Sequence, residues 1–178
     1  MYCFEPSRFT FKQLNSKLGN INEVHLQNLG LGANKERRKL YFDTEGSGWA
    51  SVFERMDTGF NQKLDKSEEI TLTSLDDFCY ENDIRQIDFL KADVEGFELE
   101  VFHGSKNMLP YIYFIQFEFS FANYNSKTYL KDFFELLADF DIYRVINDGI
   151  SKIDYDPRYE ILLTSNYLAV NKKLNIEF

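Results

Sequence analysis

The spacing of apolar residues switches repeatedly between a period near two and a period near 3.6, as expected when strands alternate with helices. Residues 1–5 predict a strand. Pro6-Ser7 opens a helix through about Leu18, with Phe9, Leu14 and Leu18 as its apolar positions and Gly19-Asn20 as its stop. Glu23 to Leu31 alternates as a strand. Lys39 to Asp43 and Trp49 to Phe53 predict a hairpin arm around Glu45-Gly46-Ser47-Gly48. Ile70-Thr71-Leu72 is a short strand, and Ser74 is placed to cap a helix from Leu75 to about Asn82. Ile87 to Ala92 reads as a strand buried on both faces, which implies a central position in a sheet.

From Gly96 the pattern predicts a helix to about Met108, with Phe97, Val101, Phe102 and Leu109 on helical spacing and Pro110 as its stop. Ile112 to Phe119 is the next strand and Lys127 to Phe140 the next helix. Tyr143 to Ile146 and Ile161 to Val170 close the pattern as an antiparallel pair near Asn147-Asp148-Gly149. The expected fold is therefore α/β, a single domain over residues 1–178, with a mostly parallel sheet and a β-rich tail.

Composition narrows the function classes. The net charge is −9, and 44% of the residues are hydrophobic, 17% of them all aromatic. An acidic chain is a poor partner for nucleic acid or an anionic membrane, because phosphate binding needs clustered Lys and Arg. The basic run Lys35 to Lys39 is expected to be a solvated turn. Cys3 and Cys79 make neither a disulfide framework nor a zinc spacing, and both are expected as buried free thiols in a reducing, cytoplasmic setting. His25 and His103 are isolated, so no metal site is expected. The apolar run Tyr111 to Tyr124 is interrupted by Gln116, Glu118 and Ser120, which argues against a membrane span.

Two carboxylates stand where strands end. In open α/β sheets ligands bind outside the carboxyl ends of strands. Glu5 there can accept hydrogen bonds from both hydroxyls of a ribose, or it can simply favour the start of a helix electrostatically. Asp93 and Glu95 follow the Ile87–Ala92 strand. They can act on a cofactor or a substrate proton, or Asp93 can cap the next helix while Glu95 and Glu98 favour its first turn. Asn28-Leu29-Gly30-Leu31-Gly32 gives a glycine-bearing exit from another strand. Glu118 reads as a solvent-facing position within an apolar strand.

Several of these segments occur together in one known family. Thr71-Leu72-Thr73-Ser74-Leu75-Asp76-Asp77-Phe78, followed by Ile87-Asp88-Phe89-Leu90-Lys91-Ala92-Asp93-Val94-Glu95-Gly96-Phe97-Glu98, resembles the signature of FkbM-type S-adenosylmethionine-dependent methyltransferases. Tyr2 to Pro6, Asn28 to Gly32 and Asn166 to Val170 match further motifs, and Ser51 falls near a small-residue loop of the family. The resemblance implies a Rossmann-like class I methyltransferase sheet with an antiparallel carboxy-terminal strand. It implies S-adenosyl-L-methionine as cofactor, with Glu5 at the ribose hydroxyls, Asn28, Leu29 and Gly30 near the adenine, and Asp93 lining the pocket between cofactor and substrate. Asp93 or Glu95 is the candidate base, and the expected acceptor is a hydroxyl of a sugar or other small molecule. The pattern departs from the family at the start, where a strand and an Asp-x-Gly-x-x-x-Gly turn are expected ahead of Glu5. The chain is therefore expected to be truncated at its amino end, with a missing segment or a partner chain completing the sheet. Two rivals stand beside this reading: a non-catalytic remnant or half of a split enzyme, and another nucleotide-fold enzyme such as an NAD-dependent dehydrogenase.

Overall fold

The computed structural model describes residues 1–54 and 63–176. Ten strands and five α-helices follow one another as β1 (Tyr2–Phe4), α1 (Arg8–Leu18), β2 (His25–Gln27), β3 (Gly30–Leu31), β4 (Glu36–Phe42), β5 (Lys66–Thr73), α2 (Leu75–Glu81), β6 (Ile87–Ala92), α3 (Glu98–His103), β7 (Ile112–Phe119), α4 (Ala122–Ser126), α5 (Leu130–Leu136), β8 (Phe140–Ile146), β9 (Gly149–Lys152) and β10 (Ser165–Asn171) among the described residues.

The strands form three separate sheets. β1 and β2 pair in parallel. β5 lies between β3, to which it is parallel, and β4, to which it is antiparallel. The largest sheet has the order β6-β7-β10-β8-β9, in which only β6 and β7 are parallel. The mostly parallel sheet expected from the sequence is thus replaced by mixed sheets. The expected antiparallel ending is present: β10 inserts between β7 and β8 and runs against both.

Local chemistry explains most element boundaries. Ser7 caps α1 and Ser74 caps α2, the latter with its Oγ accepting from the Asp77 N–H at 3.0 Å. The predicted strand at 23–31 is split, because after Gln27 the chain leaves β1 and pairs with β5 instead. The expected hairpin arm is only partly formed. β4 pairs with β5 along its length, and residues 49–53 touch it through a single bridge, Tyr41 with Ser51. Of the helix expected over 127–140 only α5 forms; Lys127, in a left-handed conformation, ends the preceding α4, and Phe140 already belongs to β8. The basic run at 35–39 belongs largely to β4 rather than to a turn. Arg38 in it is half-buried, its guanidinium carbon 4.8 Å from the Phe97 ring centroid.

The main core lies against β7, where Ile112, Ile115, Phe117 and Phe119 are fully buried. Phe117 stacks on Phe133 of α5 at 4.7 Å and on Tyr167 of β10 at 5.4 Å, while Phe102 of α3 meets Phe117 and Phe133 edge-on. A second, smaller cluster joins Leu40, Ile70 and Leu72 of the three-stranded sheet to Phe97. At the end of the large sheet, β6 departs from the expectation of a strand buried on both faces. It is an edge strand, and Phe89 on it is 52% exposed. Cys79 is buried as expected, whereas Cys3 is only half-buried.

Phe133 is 0% exposed and touches three aromatic rings of the core. Phe133→Ala is expected to cost about 3–5 kcal/mol of stability, the range for emptying a buried aromatic site. Urea unfolding followed by circular dichroism checks this, with a lowered midpoint at unchanged slope as the expected result.

Candidate functional site

Strand ends and their following turns carry the candidate cofactor and catalytic residues Glu5, Asn28, Asp93 and Glu95. β1 delivers Glu5, whose N–H donates to the Gln27 carbonyl at 3.0 Å and so extends the β1–β2 pairing by one residue. Its carboxylate turns toward α1, with Oε1 accepting from the Ser7 N–H at 2.8 Å. Burial raises the Glu5 pKa above the ordinary value, the Ser7 N–H opposes that shift, and the charge of Glu68 adds to it. The helix-start role is therefore real at this position, and it engages one of the two carboxylate oxygens.

Asn28, at the exit of β2, reaches back to the same place. Its Nδ2 donates to the Glu5 carbonyl at 2.9 Å and to the Pro6 carbonyl at 3.2 Å. Leu29 is half-buried and Gly30 is buried. A Cβ on Gly30 would come 2.5 Å from Leu72 and 3.4 Å from Pro6, so β3 can approach β5 and the Glu5 turn only with glycine there. Glu5, Asn28 and Gly30 thus form one continuous cluster. Beside it, a cavity of about 330 Å³ lies between α1 and residues 42–50, lined by Ser7, Phe9, Phe42, Ser47 and Glu68 among others.

The second cluster follows β6. Asp93 is exposed and accepts from Lys91 Nζ at 2.8 Å. It does not cap a helix, because α3 begins only at Glu98 and has no side-chain cap. Residues 93–97 form a turn in which Glu95 has φ 55° and Gly96 φ 92°. Gly96 is required on two counts: the left-handed φ, and a contact in which a Cβ would lie 2.6 Å from the Ala122 carbonyl oxygen. The Glu95 carbonyl accepts from Ser51 Oγ at 3.1 Å, which fastens the residue 49–53 segment to the turn. Ser51 is itself 1% exposed.

Glu98 stands in the first turn of α3, where the sequence places it, and it is also buried, at 1% exposed. Its Oε1 accepts from the Val94 N–H at 2.8 Å and the Gly96 N–H at 3.3 Å, while Oε2 is buried with no hydrogen-bond partner. The signal was present in the sequence, since Glu98 lies three and four residues before Val101 and Phe102, on the face that helical spacing buries. Asp76 in the other shared motif is a brace as well. Its carboxylate accepts from the N–H groups of Asn107 at 3.0 Å and Met108 at 2.9 Å, holding the segment after α3.

The two clusters share a wall but not a direct bond between their carboxylates among the described residues. Phe97 packs against Gly32 and Leu72 at the far end of the Asn28–Gly32 segment, and Asp93 and Glu95 do not line the cavity beside Ser7. Among the described residues, no group of three His, Cys, Asp or Glu side chains is placed to hold a metal ion, and no helix is long and apolar enough to cross a membrane.

Comparison with known proteins assigns the family. The profile of the methyltransferase FkbM domain matches residues 1–144. The chain belongs to the FkbM methyltransferase family. It is 24% identical over 161 residues to the 2-O-methyltransferase NoeI of Sinorhizobium fredii, an alignment covering 84% of this chain and 66% of that protein. The crystal structure of methyltransferase FkbM from Methylobacillus flagellatus superposes with a TM-score of 0.49 at 14% identity, covering 94% of this chain and 36% of that one. The chain therefore spans just under two thirds of the curated relative and about a third of the crystallised one.

Burial pushes the Glu98 carboxyl up to about 7 from 4.5, against the backbone N–H groups of Val94, Glu98 and Gly96 that favour its charged form, and the Glu118 charge adds to the rise. A carboxyl with a raised folded-state pKa keeps a proton that the unfolded chain has released. Stability is therefore highest below about pH 4.5 with respect to this group, and falls as pH rises through about 7. The loss is on the order of 3 kcal/mol across that window. Glu98→Gln, which keeps an acceptor oxygen and cannot ionise, is expected to gain stability relative to the native protein on moving from pH 5 to pH 8. Urea midpoints of both proteins at the two pH values check this, and a gap that does not change with pH would show that Glu98 titrates normally.

Proposed function

We propose that this protein is an S-adenosylmethionine-dependent O-methyltransferase acting on a hydroxyl of a sugar or another small molecule. The observation that carries the reading is the family match across residues 1–144, which includes the carboxylates at the ends of β1 and β6. A hydroxyl acceptor is supported by the similarity to the NoeI protein, named a 2-O-methyltransferase.

The cofactor has a partial fit in the residues present. Glu5 suits a ribose diol: it is half-buried at the end of a parallel strand, and its hydrogen bond to Ser7 occupies Oε1. Asn28 and Gly30 form the adjacent wall toward the adenine. For the methionine end the sequence contains no Asp-x-Gly-x-x-x-Gly motif. The free side of β6, with Phe89 exposed on that strand, favours a cradle supplied by a further strand, either from a longer chain or from a partner.

Bound there, S-adenosylmethionine supplies an electrophilic methyl group on sulfur. This chain contributes position: Glu5 holds the ribose, and the 93–97 turn aims Asp93 at the space the acceptor enters, where orientation provides much of the rate. Asp93 is the better candidate to take the hydroxyl proton, because it is exposed and, among the described residues, Lys91 is its hydrogen-bond partner. Glu95 is half-buried, and its backbone is tied to Ser51.

Two substitutions in the full-length protein test the reading. Glu5→Ala is expected to weaken S-adenosylmethionine binding by about 1.5–3 kcal/mol, the range for hydrogen bonds to a charged group. Titration calorimetry checks it, and unchanged affinity would leave Glu5 with its helix-start role alone. Asp93→Asn is expected to keep the native thermal midpoint, since the side chain is exposed, and to lose at least about tenfold in methyl transfer from labelled cofactor. Full activity in that variant would remove the carboxylate from the chemistry.

A further inference from the structure

The geometry points to Glu98 as the positioning residue of the site: it sets the direction of Asp93 by gathering, on one buried oxygen, the two backbone N–H groups of the turn that follows β6. This rests on the cofactor reading above and adds a residue that acts through another.

Three costs are concentrated within four residues. Glu95 holds a left-handed φ of 55° without being glycine. Gly96 is required, because a Cβ there would lie 2.6 Å from the Ala122 carbonyl oxygen, and glycine loses the most conformational freedom on folding. Glu98 carries a carboxylate into the interior and leaves Oε2 unpartnered. Unpaired buried oxygens and left-handed non-glycine residues are each unfavourable, and such outliers gather where a site must be held in one shape. A loop that served only to connect β6 to α3 could be closed more cheaply by a serine or aspartate cap at the helix start, as α2 is by Ser74.

The placement of the two bonds gives the arrangement its function. The shorter one, 2.8 Å, is to Val94, the residue directly after Asp93. Fixing that peptide fixes the plane through which the Asp93 Cα leaves β6, and so the direction of its side chain. The second bond, to Gly96, holds the far limb of the turn. Ser51 grips the intervening Glu95 carbonyl from the other side. Glu98 touches neither Lys91 nor Asp93 in the hydrogen-bond pattern of the described residues, so its effect on Asp93 passes through the backbone.

A double-mutant cycle in the full-length protein separates positioning from general stability. Methyl transfer from labelled S-adenosylmethionine is measured for the native protein, Glu98→Ala, Glu98→Gln, Asp93→Ala and the Glu98→Ala/Asp93→Ala pair, at a temperature where circular dichroism shows all five folded. Amide exchange of Val94 and Gly96 is followed in parallel. Glu98→Ala is expected to slow transfer at least about tenfold and to speed exchange at both amides. Glu98→Gln, which retains an acceptor oxygen, is expected to stay within about threefold of native. In the Asp93→Ala background, Glu98→Ala is expected to cost less than about twofold, because its effect has nothing left to act through. An equal loss in both backgrounds, or a Gln variant as weak as the Ala variant, overturns the inference and leaves the cofactor reading standing. A native protein that does not bind the cofactor overturns both.

Discussion

Val94 packs against both hydrophobic clusters of the protein, the large one on β7 and the small one around Leu72. The turn that carries it is therefore the joint between the five-stranded and three-stranded sheets. Phe97 extends the joint into the smaller sheet, its ring meeting Leu72, Phe53 and the Arg38 guanidinium. Glu98, the next residue, turns inward and ties the same turn to itself. Side chains packed at interior density transmit displacement rather than absorb it. The turn must therefore satisfy two cores at once, and the carboxylate at its entry takes its place from that compromise.

This arrangement gives meaning to both motifs that mark the family. In the first, Ser74 and Asp76 do internal bracing: one starts α2, and the other holds the chain after α3. In the second, Gly96 and Glu98 shape the turn, and Asp93 is the exposed carboxylate at its entry, paired with Lys91. Most of the recognisable signature is architecture around a small chemical surface. That pattern is expected where binding groups sit on turns held by a rigid scaffold.

Strand positions were legible where the side-chain pattern carries them locally. Ile112–Phe119 and Ile87–Ala92 fall where the sequence places them, and the caps at Ser7 and Ser74 are those the residue types predict. Pairing was not legible, because it depends on distant partners. Nothing near Glu36–Phe42 indicates that β5, rather than residues 49–53, will be its neighbour, and nothing in Ile87–Ala92 distinguishes a central strand from the edge strand observed. In the candidate site, Glu5, Asn28 and Gly30 meet through contacts between segments more than twenty residues apart. The inward face of Glu98 was overlooked because residue type was weighed above helical spacing, and acidic residues are almost never fully buried unless paired.

β10 lies between β7 and β8, although it follows both in the chain. Sheet assembly therefore cannot proceed in the order of synthesis. Until residues 165–171 leave the ribosome, β7 has no strand on one side, and the β8–β9 ribbon has nothing linking it to the rest. Phe117 meanwhile lacks the ring of Tyr167 that will cover it. The nascent chain must carry an adhesive, half-covered aromatic surface from the appearance of β7 until that of β10, and its closure depends on a contact between segments some fifty residues apart. For this protein the hazardous interval is thus co-translational, and it ends only when the middle of the sheet arrives.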